Sequence, residues 1–366
     1  MTTVDLIIRN GLIIDGSGNS PISGDLVIHD DRIVAVNPQE KMVADREIDA
    51  TGLVVAPGFI NMLSWAVESL IEDGRAQSDI RQGVTLEVMG ESLSWGPLND
   101  TLKTYIKSTQ GDIQYDVEWT SLGEYLEYLE QRGVAPNITS FVGASTIRTH
   151  VLGFDDVQPT SEQLQAMQQL VHEAMQEGAV GLSTALIYPP GSYAKTEELI
   201  ALCEVVASYD GLYISHMRSE GSEIDAGLDE FFKTVREANV RGEIYHLKVA
   251  GQHNWHKLDN ILQRIETARA DGLQITTDMY TYPAAGTGLN SVVPPWAHDG
   301  GHDSLIERLK NVDVRARIKE AMALPGKDWE NLYYEAGSPD NIMPVYFKNP
   351  ELRHYAGKTL AQIATE

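Results

Sequence analysis

Two short stretches carry the architecture of this 366-residue chain: "LYISHMRSEG", residues 212–221, and "EIYHLKVAG", residues 243–251. Each begins with an apolar run of strand length, and each brings that run to a histidine, His216 or His246. Five further runs have the same form: "GFINM", "VTLEVMG", "ITSFVGA", "AVGLST" and "LQITTDMY". Amphipathic helical patterns lie between them. The clearest spans residues 161–177. There Thr160 and Gln163 make a capping-box pair, and Leu164, Met167, Leu170, Val171 and Met175 line one face. Gly178 supplies the stop. Strands alternating with helices imply βαβ units and a parallel sheet. Seven such units in series imply a (β/α)8 barrel, TIM-like, more than an open sheet. Only seven strands are legible, however. Past Tyr280 the chain is Pro-rich and charged and stops at the helical pattern "AGKTLAQIATE", so the eighth strand is apparently missing.

Before Pro57 the pattern differs. Residues 1–57 read as a small β domain of short strands and tight turns, with hairpins expected at Asn10-Gly11 and at Asp30-Asp31. Residues 58–366 then form the barrel. A net charge of −25 argues against nucleic acid or an anionic membrane as a partner. The single cysteine, Cys203 in "LIALCEVVAS", excludes an intrachain disulfide and reads as a buried helix residue. The N-terminus has no signal-peptide pattern, and no apolar run is long enough to span a membrane. A cytoplasmic protein is the expectation.

In barrels of this kind, functional groups sit where strands end. Those ends supply Glu91 and Ser92, then His216 with Arg218 and Glu220, then His246 with Lys248, and finally Asp278, Tyr280 and Tyr282. Two histidines on successive strands plus a carboxylate on another make a zinc set of two nitrogens and one oxygen. Each residue also has an ordinary reading. A lone strand-end histidine is more often a hydrogen-bonded structural group, Asp278 suits a turn, and Lys248 suits the surface. The tempting "HNWH", residues 253–256, falls in a loop-to-helix segment and reads as surface; the other histidines, His298 among them, lie scattered on loops or helices and are not read as ligands.

The phrases "DLIIRNGLIIDGSGNSP", "ATGLVVAPGFI", "DIRQGVTLEVMGES", "GAVGLSTALIYPPGSYA", "GLYISHMRSEG", "YHLKVAG" and "TDMYTYPAAG" follow one another as they do in the N-acyl-D-amino-acid deacylases. The chain resembles these amidohydrolase-superfamily enzymes (D-aminoacylases) from about Asp5 to Pro283, and more weakly beyond. The resemblance implies a small β-sandwich built from both chain ends, a (β/α)8 barrel, and zinc-dependent hydrolysis of an N-acyl amide. It places the two zinc-binding histidines at His216 and His246. Three departures stand out. Leu63 and Trp65 replace a histidine pair after the first strand. Ser92, preceded by Glu91, takes the place of a ligating cysteine. The eighth strand and its proton-shuttling aspartate are absent, so the chain is expected to be a C-terminally truncated piece.

The expected site is one zinc ion held by Glu91, His216 and His246, with the proton shuttle beyond Glu366. Lys248, Tyr188 and Tyr282 would line a pocket for a small-molecule N-acyl amino acid, the lysine acting as a point charge on a carboxylate. Leu63 and Trp65 would be buried over the vacated metal position. The alternatives are a barrel that kept the fold and lost the metal, and a hydrolase of cyclic amides or dipeptides.

Overall fold

The computed structural model describes residues 3–40 and 42–366. The chain divides into two compact units: Met1–Ile60 with Arg81–Thr85, and Asn61–Ile80 with Leu86–Glu366.

The first unit is a mixed β-sheet. Its strands are β1 (Thr3–Ile13), β2 (Ile22–His29), β3 (Arg32–Val36), β4 (Val43–Asp49) and β5 (Val54–Val55). Their order is β3-β2-β1-β4, with β5 also pairing with β1. Val4, Ile7 and Val27 form its small core. The turn at Asp30-Asp31 is present, with Asp30 at φ 52°. The expected hairpin at Asn10-Gly11 is not. β1 runs straight through that pair, and its register against β2 slips between Ile8 and Gly11. Asn10 takes the left-handed φ of 60° that a hairpin would have used, and the Asp25 carboxylate accepts its amide proton at 3.0 Å. Asparagine tolerates that conformation in a bulge as readily as in a turn.

The second unit holds the parallel strands, except for the opening residues of the first two, 59–60 and 84–85. They are β6 (Phe59–Asn61), β7 (Val84–Met89), β8 (Asn137–Ser140), β9 (Val142–Gly143), β10 (Gly181–Ala185), β11 (Leu212–His216), β12 (Arg241–Ile244) and β13 (Ile275–Thr277). They hydrogen-bond as β6-β7-β8 and β9-β10-β11-β12-β13. Only Phe141 separates β8 from β9, so the two sheets are one seven-stranded arc in which β8 and β9 count as a single strand. No strand follows β13 among the described residues.

Period-two alternation sorts the side chains to two faces. Ile214, with Val88, Phe141 and Tyr245, packs in one small cluster. The neighbour Tyr213, with Met89, Val142 and Leu182, packs with the helices in a second and larger one. The helix Ser161–Gln176 starts at the Thr160 capping box and buries Met167, Val171 and Met175. Cys203 is fully buried in the helix Thr196–Ala207.

Candidate metal centre

The ends of three strands converge on one point. Glu91 follows β7, His216 closes β11, and His246 lies just past β12. Each of the three offers one ligand atom, all within 4.8 Å of one another. The two imidazole centroids are 4.5 Å apart and nearly perpendicular, at 87°. Glu91 Oε1 stands 3.1 Å from His216 Nδ1 and 3.7 Å from His246 Nε2. Ligand bonds of about 2.0–2.2 Å in a tetrahedral zinc site space the donors roughly 3.3–3.6 Å apart. The donor types fit that ion, and the two distances from Glu91 bracket that range.

The electrostatics support an anionic front. Burial pushes the Glu91 carboxyl up, but the His216 hydrogen bond and the nearby His246 imidazole outweigh it and hold the group at about 2. Burial pulls His246 down, but Glu220 and Glu91 overcome this and raise it to about 9. Buried charge survives here because it is paired.

The backbone around the site is unusual. His246 has φ 37° and Ser92 φ 56°, left-handed values that cost a non-glycine residue about 1–3 kcal/mol. Both are braced. Asp278 Oδ1 accepts the His246 backbone N–H at 2.6 Å. Ser92 N–H donates to Ser183 Oγ at 2.9 Å, and Ser92 Oγ pairs with Ser145 Oγ at 2.7 Å. A Cβ on Gly143 would fall 2.2 Å from the Ser92 carbonyl oxygen, so only glycine allows this approach. With its hydroxyl paired with that of Ser145, Ser92 leaves the histidines to Glu91.

The other expected residues divide. Tyr188 stands edge-on to His216, its ring 5.3 Å away. It also lines a cavity of about 410 Å3 beside Glu91, walled by Trp65, Tyr105, Phe154 and His298. Lys248 does not reach that cavity. Its ammonium is spent on Glu220 Oε1, at 2.7 Å. Tyr282 is 75% exposed and lies outside the cavity wall; Tyr280, two residues earlier, packs edge-to-face with His246, at 6.2 Å. Leu63 and Trp65 correct another expectation. The strand ends at Asn61, before either residue. Leu63 is half-buried and Trp65 is 54% exposed. Trp65 instead donates its indole N–H to Glu91 Oε2 at 3.1 Å.

Two functional candidates were left without a role by the sequence reading. Glu220, noted there only as following His216, is buried against both histidines. His298 is buried in the cavity wall, with no hydrogen-bond partner at Nε2 and its pKa lowered by burial. No local pattern distinguishes it from the other histidines.

No protein-family model matches the chain. Individual relatives do. The D-aminoacylase of Alcaligenes xylosoxydans xylosoxydans is 36% identical over 289 residues, 78% of this chain and 59% of that protein. The N-acyl-D-glutamate deacylase of the same organism is 32% identical, over 78% of this chain and 58% of its own length. This chain is a homologue of the N-acyl-D-amino-acid deacylases. Its fold agrees: a D-aminoacylase crystal structure superposes with a TM-score of 0.68 at 34% identity, covering 76% of this chain and 59% of that one. An N-acyl-D-glutamate deacylase from Bordetella bronchiseptica, complexed with zinc and a phosphonate inhibitor, matches with a TM-score of 0.76 at 26% identity. That match covers all of this chain and 67% of the other. The barrel is therefore an amidohydrolase barrel. This deacylase homologue spans under three fifths of the length of the curated relatives it matches, 57–59%. Among the described residues, no helix is long and apolar enough to cross a membrane.

Proposed function

We propose that this protein hydrolyses the amide bond of N-acyl-D-amino acids, using one zinc ion held by Glu91, His216 and His246. The observation that carries the reading is the convergence of these three buried side chains from three strand ends. Zinc bound there would polarise the amide carbonyl and lower the pKa of water toward about 7. The chain's own groups prepare the place. Glu91 supplies a fixed negative charge, and the Trp65 indole N–H holds its outer oxygen. Tyr188 shields one side of His216.

The cavity beside Glu91 receives the substrate side chain. Its wall is rich in aromatic groups and, among the described residues, includes no lysine or arginine. An uncharged side chain suits such a wall better than a carboxylate, which would lose its hydration without gaining a cation. Residues 58–366 act as the catalytic barrel in this reading, and residues 1–57 as a supporting β domain. A metal-free barrel is the second reading, favoured by the Trp65 contact that already satisfies one oxygen of Glu91. Zinc content of the purified protein decides between them, followed by turnover of N-acetyl-D-leucine against its L-enantiomer and N-acetyl-D-glutamate. Zinc at one equivalent with D-selective release of acetate supports the proposal. No zinc uptake would refute it.

A further inference from the structure

Glu220 is 6% exposed, in the loop that follows β11. Its backbone carbonyl accepts the Ala250 N–H at 2.7 Å, tying that loop to the one after β12. Its carboxylate lies behind the two histidines, on the side away from Glu91. Glu220 Oε1 is 2.9 Å from His246 Nδ1, and Glu220 Oε2 is 3.5 Å from His216 Nε2. Each imidazole thus has one nitrogen toward Glu91 and the other toward Glu220, but the two rings are turned oppositely. His216 presents Nδ1 to Glu91, and His246 presents Nε2.

A neutral imidazole has one N–H and one lone pair. A metal ion beside Glu91 needs the lone pair of the nitrogen that faces it. The proton of each ring then belongs on the other nitrogen, the one facing the Glu220 carboxylate, where a lone pair would be repelled. We propose that Glu220 is a positioning residue that fixes opposite tautomers in the two histidines, Nε2–H in His216 and Nδ1–H in His246, so that both lone pairs face Glu91. This role rests on the metal-centre reading above. His216 Nε2 is buried and makes no hydrogen bond in the structure, and Glu220 Oε2, 3.5 Å away, is positioned to accept from it.

Lys248 raises the one competing arrangement. Its Nζ is 2.8 Å from His246 Nδ1 as well as 2.7 Å from Glu220 Oε1. An ammonium donating to Nδ1 would force the proton to Nε2, where it would point at Glu91. That arrangement leaves the Nδ1 lone pair 2.9 Å from Glu220 Oε1 with no proton between them. Donation from Lys248 to Glu220 avoids this, and it also neutralises a carboxylate that would otherwise be buried unpaired. Carboxylates that orient ligating histidines in this way contribute about 10–100-fold in metal affinity.

Histidine-selective 15N labelling of the zinc-loaded protein, read by long-range proton–nitrogen correlation, tests the assignment directly. One histidine should be protonated at Nε2 and metal-bound through Nδ1, the other the reverse, with His216→Gln and His246→Gln identifying the signals. Two histidines of the same tautomer would overturn the proposal. Glu220→Gln should weaken zinc binding about 10–100-fold in chelator competition while the circular-dichroism spectrum stays unchanged. Lys248→Met should weaken it less. Unchanged affinity in Glu220→Gln would sink the positioning role even if that of Lys248→Met falls. Wild-type protein that takes up no zinc would instead overturn the metal reading itself, and this role with it.

Discussion

The larger unit contains two buried charge clusters that solve the same problem differently. In the first, Arg148 on the helix Ala144–Leu152 meets Glu198 on the helix Thr196–Ala207 at 2.5 Å, with side chains 1% and 4% exposed. In the second, Glu91 and Glu220 flank His216 and His246. A guanidinium offers no lone pair, so that pair can only be an ion pair. Imidazole nitrogens do, so the second cluster carries the donors that the proposed zinc ion would use. Burial pushes the Glu198 carboxyl up despite its arginine, whereas the histidines hold Glu91 down. A permanent pair locks two helices together. A titratable cluster at the strand ends stays available for chemistry.

The sharpest way to break this contrast is to remove each cation. Arg148→Met should lower stability in urea unfolding by about 3–5 kcal/mol, because Glu198 is left buried without a partner. Adding Glu198→Leu should restore most of that loss, and zinc affinity of the folded protein should not change. His216→Ala should act in reverse. Equilibrium dialysis should show zinc affinity reduced by about a thousandfold, roughly 4 kcal/mol, with little loss of secondary structure. If His216→Ala unfolds the protein and Arg148→Met does not, the two roles have been exchanged.

The pH dependence of the metal-free protein sharpens the comparison further. His246 is raised to about 9, so its contribution is complete below its unfolded value of 6.5 and lost as pH rises through about 9. Glu91 is lowered to about 2, so its contribution is present above 4.5 and lost as pH falls toward about 2. Melting temperature should therefore peak between about pH 4.5 and 6.5, and stability should fall by up to about 3 kcal/mol between pH 6.5 and 9. Zinc affinity should rise over that same alkaline interval, because the ion competes with the His246 proton. A flat melting profile there would mean that His246 is not charged in the metal-free fold. The smallest effect belongs to Trp65→Phe, which removes one hydrogen bond to Glu91 from a half-exposed ring. About 1 kcal/mol of stability is expected, measured with and without zinc; a loss of several would show that the indole supports more than one carboxylate oxygen.

Much of this was readable from the residues in order, because the forces involved are local. All seven parallel strands followed from short apolar runs. The helix Ser161–Gln176 followed from its capping box and its apolar face, and the Asp30-Asp31 turn from its backbone preference. Strand-end position also singled out His216, His246 and Glu91, since a barrel strand delivers its last residues to a common rim. Local signals failed where two outcomes share one backbone conformation. Asn10-Gly11 is a bulge and not a turn because Asp25, fifteen residues away in sequence, accepts the Asn10 amide.

Side-chain partners were decided by the three-dimensional arrangement. Nothing near Trp65 in the sequence says that its indole N–H would reach Glu91, or that the strand would end at Asn61 and leave the ring half in solvent. Lys248 has the same residue type whether it meets a substrate carboxylate or Glu220; only the packing of the loops after β11 and β12 gave it to Glu220. Periodicity fixes which face of an element a side chain occupies, because backbone geometry repeats every few residues. Which charge it then meets depends on contacts between residues far apart in the chain, and those exist only once the sheet has closed its arc.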